Sequence, residues 1–168
     1  MKQIILPILG VIIFIVLVGL LTQKVQDGEL SFPIKNSAEY VSKGEVKIGD
    51  LTIPVIVAKT DIQRRDGLSN QDGLPEGEGM FFEFVQKNVK PPFWMKDMKF
   101  AIDILWINDN EIVQIDSDVQ PPKPGTTDDN LILYMPNQPI DYVLEMIAGF
   151  AEENNIEVGD IVDLTSLY

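Results

Sequence analysis

The amino-acid sequence predicts a mainly β protein of the α+β class, an antiparallel β-sandwich or partly closed barrel with two short helices, preceded by one N-terminal transmembrane helix. Three observations carry this expectation. Ile4 to Leu21 is an apolar run broken only by Pro7, Gly10 and Gly19. Beyond residue 44, short stretches rich in β-branched and aromatic residues alternate with turn signals, the pattern of many short strands. Only two stretches carry helix signals instead. The 168 residues, 45% of them hydrophobic, suffice for one domain with its own core and a short appendage. The predicted division is an anchor over 1–24, a tether over 25–44 and a β domain over 45–168.

The apolar run, roughly 18 residues at about 1.5 Å each, spans about 27 Å, close to the hydrocarbon thickness of a bilayer. No small-residue cleavage site follows it, because the boundary reads Leu20-Leu21-Thr22-Gln23-Lys24. An uncleaved signal anchor is therefore expected. Lys2 and the free amine lie at one end, with Asp27 and Glu29 soon after Lys24 at the other, which favours a cytoplasmic N-terminus. The soluble part is then membrane-anchored outside the cytoplasm. From Gln26 to Gly44 the chain mixes Gly, Ser, Asn and Lys with isolated apolar residues and has no sustained period, as a tether would.

Strands are expected over Glu45–Ile48, Leu51–Ala58, Gly79–Phe84, Phe93–Met98, Ala101–Ile107, Glu111–Ile115, Tyr142–Met146 and Asp160–Leu164. Turn residues at Gly49-Asp50, Asn108-Asp109-Asn110 and Gly159-Asp160 separate several of them. Thr60-Asp61-Ile62-Gln63 has capping-box spacing and Gly67 follows as a stop, so a short helix is expected over 60–66. A second is expected over Ile147–Asn154. Pro121-Pro122-Lys123-Pro124-Gly125 and the polar residues after it read as a loop.

Composition excludes much chemistry. Thirteen basic residues against 26 acidic ones leave a net charge of −13, with no histidine and no cysteine. Triads built on imidazole, thiolate nucleophiles and cysteine-ligated metals are therefore absent. So strong an acidity argues against binding nucleic acid, which needs surplus Lys and Arg on the phosphates. Asp109, Glu111, Asp116, Asp118 and Asp128-Asp129 are hard oxygen donors, but none has the spacing of a calcium loop, and they read as solvated acids. Nothing in the sequence calls for a metal or a cofactor.

Ordered motifs also carry a family resemblance. They are Val57-Ala58-Lys59-Thr60 leading to Arg64 and Gly67-Leu68, Leu74-Pro75-Glu76, Gly79-Met80-Phe81-Phe82, Phe93-Trp94-Met95-Lys96-Asp97-Met98, Ile102-Asp103-Ile104, Tyr142-Val143-Leu144-Glu145, Ala148-Gly149 and Gly159-Asp160. From about residue 46 to 164 the chain resembles the domain of unknown function 192 family. The resemblance implies a compact, mainly β domain of sandwich type with little helix, and it implies no reaction. Where many members carry Met and Arg after the Gly-Leu pair, this chain has Ser69 and Gln71.

The candidate site residues cluster around the tryptophans. Phe93 to Ile107 reads as two adjoining strands, the second apolar on both faces, so Asp103 stands where a hydrophobe is expected. A buried charge needs a partner. If Lys99-Phe100 connects the two strands, Lys96 sits opposite Asp103, with Arg64 the second choice of cation. Asp103 is then either a structural acid held by Lys96 or backbone amides, or a ligand-facing one. Glu145 would join Asp103 as a catalytic pair of glycosidase type. Arg64 either grips a carboxylate or phosphate or makes a salt bridge to a strand. Trp94 and Trp106 either stack on a sugar or fill the core.

Two functions follow from these candidates. The first is a non-catalytic binding module for a small polar or saccharide ligand, or a small anionic one, using Arg64, Trp94, Lys96 and Asp103. The alternative is a carboxylate-dependent hydrolase acting on a cell-envelope substrate through Asp103 and Glu145. The absence of histidine and cysteine favours the first.

Overall fold

The computed structural model describes residues 42–167. The expected anchor over 4–21, and the tether up to residue 41, lie outside the described residues. No helix among the described residues is long and apolar enough to cross a membrane.

Strand β1 (Ser42–Ile48) begins three residues inside the stretch expected as tether and turns through Gly49-Asp50 into β2 (Leu51–Ala58). Ser42, Lys43 and Gly44 are strand residues because β2 is long enough to pair with them, opposite Val57, Ile56 and Val55. Gly44 also lets the C-terminal turn at Thr165–Leu167 close over the sheet, since a Cβ there would lie 2.8 Å from Leu167 Cδ2. Helix α1 (Asp61–Asp66) follows, opened by the expected capping box. The Gln63 amide donates to Thr60 Oγ1 at 3.2 Å and the Thr60 amide to Gln63 Oε1 at 3.0 Å. Strands β3 (Gly79–Glu83), β4 (Ile102–Asn108), β5 (Glu111–Val119) and β6 (Tyr142–Ile147), helix α2 (Phe150–Glu153) and β7 (Val162–Asp163) complete the regular elements, apart from short 3-10 turns.

The seven strands form one sheet in the order β5-β4-β6-β3-β2-β1-β7. Every pairing is antiparallel except β2 with β3, which is parallel because α1 carries the chain back to the starting end. The sheet curls into a half-barrel. At one end its outer strands meet, with Ile112 donating to the Asp160 carbonyl at 3.0 Å and Val162 to the Asn110 carbonyl at 2.8 Å. Of the two arrangements expected, the partly closed barrel is found. The sandwich is not, since one curled sheet supplies both faces.

The central strands are buried on both sides, and alternation sorts their residues into two cores. Val55, Val57, Phe81, Leu105, Ile107, Leu144 and Met146 fill the concave side with α2 and the C-terminal turn. Met80, Phe82, Ile102, Ile104, Trp106 and Val143 face the other way, where Leu68, Met95, Met98 and Ile140 cover them from connecting segments. Each such fully buried large apolar side chain contributes about 1.5–3 kcal/mol. Gly79 lies tight against β6, where a Cβ would lie 2.4 Å from Met146 Sδ and 3.0 Å from the Glu145 carbonyl oxygen.

One expected strand is absent. Phe93–Met98 makes a single β-bridge, Phe93 with Tyr134, and then turns at Asp97 (φ 56). Pro91 and Pro92 bring no amide hydrogen to a ladder, and Phe93, Met95 and Met98 instead pack as a lid on the outer core. The partners of β4 are β5 and β6, so Lys96 is not across from Asp103. The remaining differences are of length: β5 runs on to Val119, β7 keeps two residues and α2 four.

Candidate functional site

The feature around which a site can be built is Glu145 on β6. It faces the outer core between Met80 of β3 and Ile104 of β4, its opposite numbers in the two ladders. The residue is 5% exposed, and no hydrogen bond or neighbouring charge among the described residues acts on its carboxyl. Burial alone pushes its pKa from 4.5 up to about 8, because the charged form loses its hydration and finds no donor in exchange.

Above Glu145 lies a cavity of about 240 Å³. Phe82 and Phe84 from β3 and its continuation form one wall, and Phe93, Trp94 and Met98 from the lid form another. Phe93 holds the rings together edge-on, 5.0 Å from Phe82, 6.4 Å from Phe84 and 5.3 Å from Trp106 between centroids. Gly67, Leu68 and Ser69, just beyond α1, close a third side, and Arg64, Arg65 and Asp66 stand at the mouth. The Ser69 hydroxyl donates to the Lys96 carbonyl at 2.8 Å and so ties the end of α1 to the lid. That is the structural work of one residue at which this chain departs from the family pattern. The other, Gln71, reaches the Gly67 carbonyl at 3.5 Å.

Arg64 is committed to the fold. Its Nη1 donates to the carbonyl oxygens of Lys59 at 2.6 Å and Glu83 at 2.7 Å, its Nη2 pairs with Asp61, and its guanidinium lies 5.7 Å from the centre of Phe84. It thus pins α1 to the end of β3 through main-chain oxygens, not through the strand carboxylate expected of a salt bridge. A second, larger cavity of about 600 Å³ adjoins the first, sharing Arg65, Asp66, Ser69 and Trp94 with it and adding Lys96, Asp128 and Leu131. Lys96 pairs there with Asp128, which raises the pKa of its ammonium.

The remaining candidates fall elsewhere. Asp103 is fully buried and faces the concave core with Leu105 and Met146, on the opposite side of the sheet from Glu145. Its Oδ1 accepts from the amides of Asp118 at 2.9 Å and Gly149 at 3.2 Å, and its Oδ2 from Ala151 at 3.0 Å. It lines neither cavity and meets neither Lys96 nor Arg64, so amide donors hold it, as one of the two structural alternatives had it. The pairing of Asp103 with Glu145 on one surface is likewise not formed, because residues opposite Glu145 and Met146 point to opposite faces. Trp106 is a core residue whose Nε1 donates to Asp116 Oδ2 at 2.9 Å. Arg64, Trp94 and Glu145 line the first cavity, and Trp94 and Lys96 the second.

The ring wall of Phe82, Phe84 and Phe93 is not among the site residues expected from the sequence. The signal available was the Phe82-x-Phe84 spacing, which puts both rings on the Glu145 side of the sheet. Asp141 is not among those expected residues either; it is 5% exposed and accepts from the amides of Asn88 at 2.8 Å and Asp109 at 3.1 Å.

Known proteins with this architecture exist. A crystal structure from Sinorhizobium meliloti 1021, of a protein named as a candidate transcription regulator, aligns with a TM-score of 0.65 at 24% identity over 73% of this chain and 94% of its own. A crystal structure of a protein of unknown function from Novosphingobium aromaticivorans DSM 12444 aligns with a TM-score of 0.61 at 22% identity, covering 73% of this chain and 84% of its own. At such identities the likeness establishes a shared fold. No curated protein matches the chain significantly. The family model of domain of unknown function 192 (DUF192), described as Uncharacterized ACR, matches residues 44–164, and the chain accordingly belongs to that family.

Proposed function

We propose that the domain is a non-catalytic binding module for a small polar or saccharide ligand, carried outside the cytoplasm on an N-terminal membrane anchor over residues 4 to 21. The observation that carries the binding reading is the cavity over Glu145, a buried carboxyl without a partner at the floor of a ring-lined space. A polar group so placed costs stability unless something pairs with it, and a ligand that does so recovers that cost on binding. Trp94 stands on the wall common to both cavities, where a ring can cover a ligand, and Arg65 and Lys96 border the larger one.

The hydrolase reading draws less support, since the acid meant to accompany Glu145 is Asp103, which faces the other core. Asp66 is the other carboxylate lining the cavity, and it is paired with Arg65 at 3.4 Å. Thermal unfolding of the full chain with and without a panel of sugars, sugar phosphates and small charged solutes tests the binding reading. A stabilising ligand whose effect disappears in Trp94→Ala is the expected result, and a panel without effect counts against it. For the anchor, the full-length protein is expected in the membrane fraction until detergent is added. Recovery at intact mass in the soluble fraction would remove that part of the proposal.

A further inference from the structure

The composition of the cavity over Glu145 discriminates among polar ligands. A carboxyl 5% exposed and without a partner forms its floor, and four aromatic side chains, Phe82, Phe84, Phe93 and Trp94, line it. Both arginines at the mouth already have partners. Arg64 is bound to two carbonyl oxygens and Asp61, and Arg65, 65% exposed, is paired with Asp66. Phe84 already has one guanidinium over its ring, at 5.7 Å, so an aromatic face at this site accommodates positive charge.

Resting on the binding-module reading, we infer that this cavity takes an alkylammonium group, with Glu145 as its counter-ion and the surrounding rings against its methyl or methylene surface. The faces of aromatic rings attract cations, and a carboxylate deep in a low-dielectric site attracts them more strongly. A neutral hydroxyl would gain one ordinary hydrogen bond and leave the ring faces unused. An anion would leave the carboxyl protonated and gain one hydrogen bond from it, while meeting the negative faces of the rings. The net charge of −13 also concentrates cations around the protein.

The pairing makes binding depend on pH. Beside Glu145 in the sheet are Met80 from β3 and Ile104 from β4, neither of which titrates; across the cavity, α1 contributes Arg64, Arg65 and Asp66, and the lid contributes Pro91, Pro92, Phe93, Trp94 and Met98. Without ligand the carboxyl has a pKa of about 8 and is mostly protonated at neutral pH. A cation that pairs with it displaces that proton to solvent. Affinity then rises with pH until the free carboxyl ionises by itself, and levels off above that point.

The test titrates the full chain with choline, with its uncharged isostere 3,3-dimethyl-1-butanol and with glucose, from pH 6 to pH 9, followed by calorimetry and tryptophan fluorescence. Choline is expected to bind at least roughly tenfold more tightly than the alcohol at pH 8. Its affinity should climb by about tenfold per pH unit from 6 towards 8. Glu145→Gln, which keeps the shape, should abolish both the binding and the slope while the circular dichroism spectrum stays unchanged. If that variant does not fold, the slope and the choline-to-alcohol ratio of the unmodified chain decide. Equal affinity for choline and the alcohol, or choline affinity that falls with pH, overturns the inference. Glucose binding without choline binding overturns it too and leaves the binding module standing, as does no binding by any of the three, and the module itself falls only if the wider panel of sugars, sugar phosphates and small charged solutes is also without effect.

Discussion

Asp103 and Glu145 stand on adjacent strands of one sheet, one register position apart, and both are almost entirely removed from water. On the concave side Asp103 meets three backbone amides, those of Gly149 just before α2 and Ala151 within it, and one from the bulged part of β5. On the outer side Glu145 meets methionine, isoleucine and phenylalanine and no donor. The same chemical group is therefore a structural fastening on one face and an unspent polar group on the other. A buried carboxylate is informative about function only after its hydrogen bonds have been accounted for. The aspartate closes the fold, and the glutamate leaves an opening in it.

The largest expected effect comes from destroying the satisfied member of this pair. Asp103→Ala would strand three amide donors, that of Ala151 buried and those of Asp118 and Gly149 partly so, and the loss should be on the order of 3 kcal/mol in denaturant unfolding. Asp103→Asn keeps an acceptor oxygen and should lose distinctly less. Equal losses for the two variants would mean that the amides do not depend on the side chain.

Glu145 is expected to behave in the opposite sense. Its pKa is raised by folding, from 4.5 to about 8, so the native state holds its proton more tightly than the unfolded chain does. The protein therefore has this contribution in full below about pH 4.5 and loses it progressively as pH rises to 8. The loss should amount to a few kcal/mol at most. Glu145→Gln should flatten that part of the stability profile and be the more stable protein above pH 8. A wild-type profile without this decline would show that the carboxyl is solvated.

Two smaller effects mark the edges of the comparison. Thr60→Ala removes the cap of the helix that brings Arg64 and Arg65 to the cavity mouth, at a cost of about 1 kcal/mol by thermal or denaturant unfolding. Lys96→Ala deletes an exposed pair with Asp128, and unfolding measured at moderate salt should register no change. A clear loss there would mean that the lid is held by charge as well as by its apolar residues.

Local chemistry explains which parts of this architecture were legible beforehand. The capping box at Thr60 and Gln63, the turn at Gly49-Asp50 and the alternation along β4 each involve neighbours in the chain, and each is found. The need for Asp103 to be compensated was also legible, because an acid in a strand apolar on both faces has few other options. The identity of its donors was not, since Gly149 and Ala151 lie 46 and 48 residues away. Likewise the Phe93–Met98 run has the composition of a strand, and only the two prolines before it signalled that it would cover a sheet and not join one.

The sequence by itself determined the mainly β class, the first helix and its stop, the turn between β1 and β2 and the requirement that Asp103 be buried with partners. Only the tertiary structure decided that β3 runs parallel to β2, that β6 is inserted between β3 and β4, and that Lys96 reaches Asp128 and not Asp103. It also decided that Glu145 lies beneath a ring of aromatic side chains drawn from β3 and from the lid. The physical reason is that caps and tight turns are settled by groups within a few residues of one another. The edge at which a strand pairs, and the side of the sheet on which a loop comes to rest, depend on which surfaces distant parts of the chain have left uncovered.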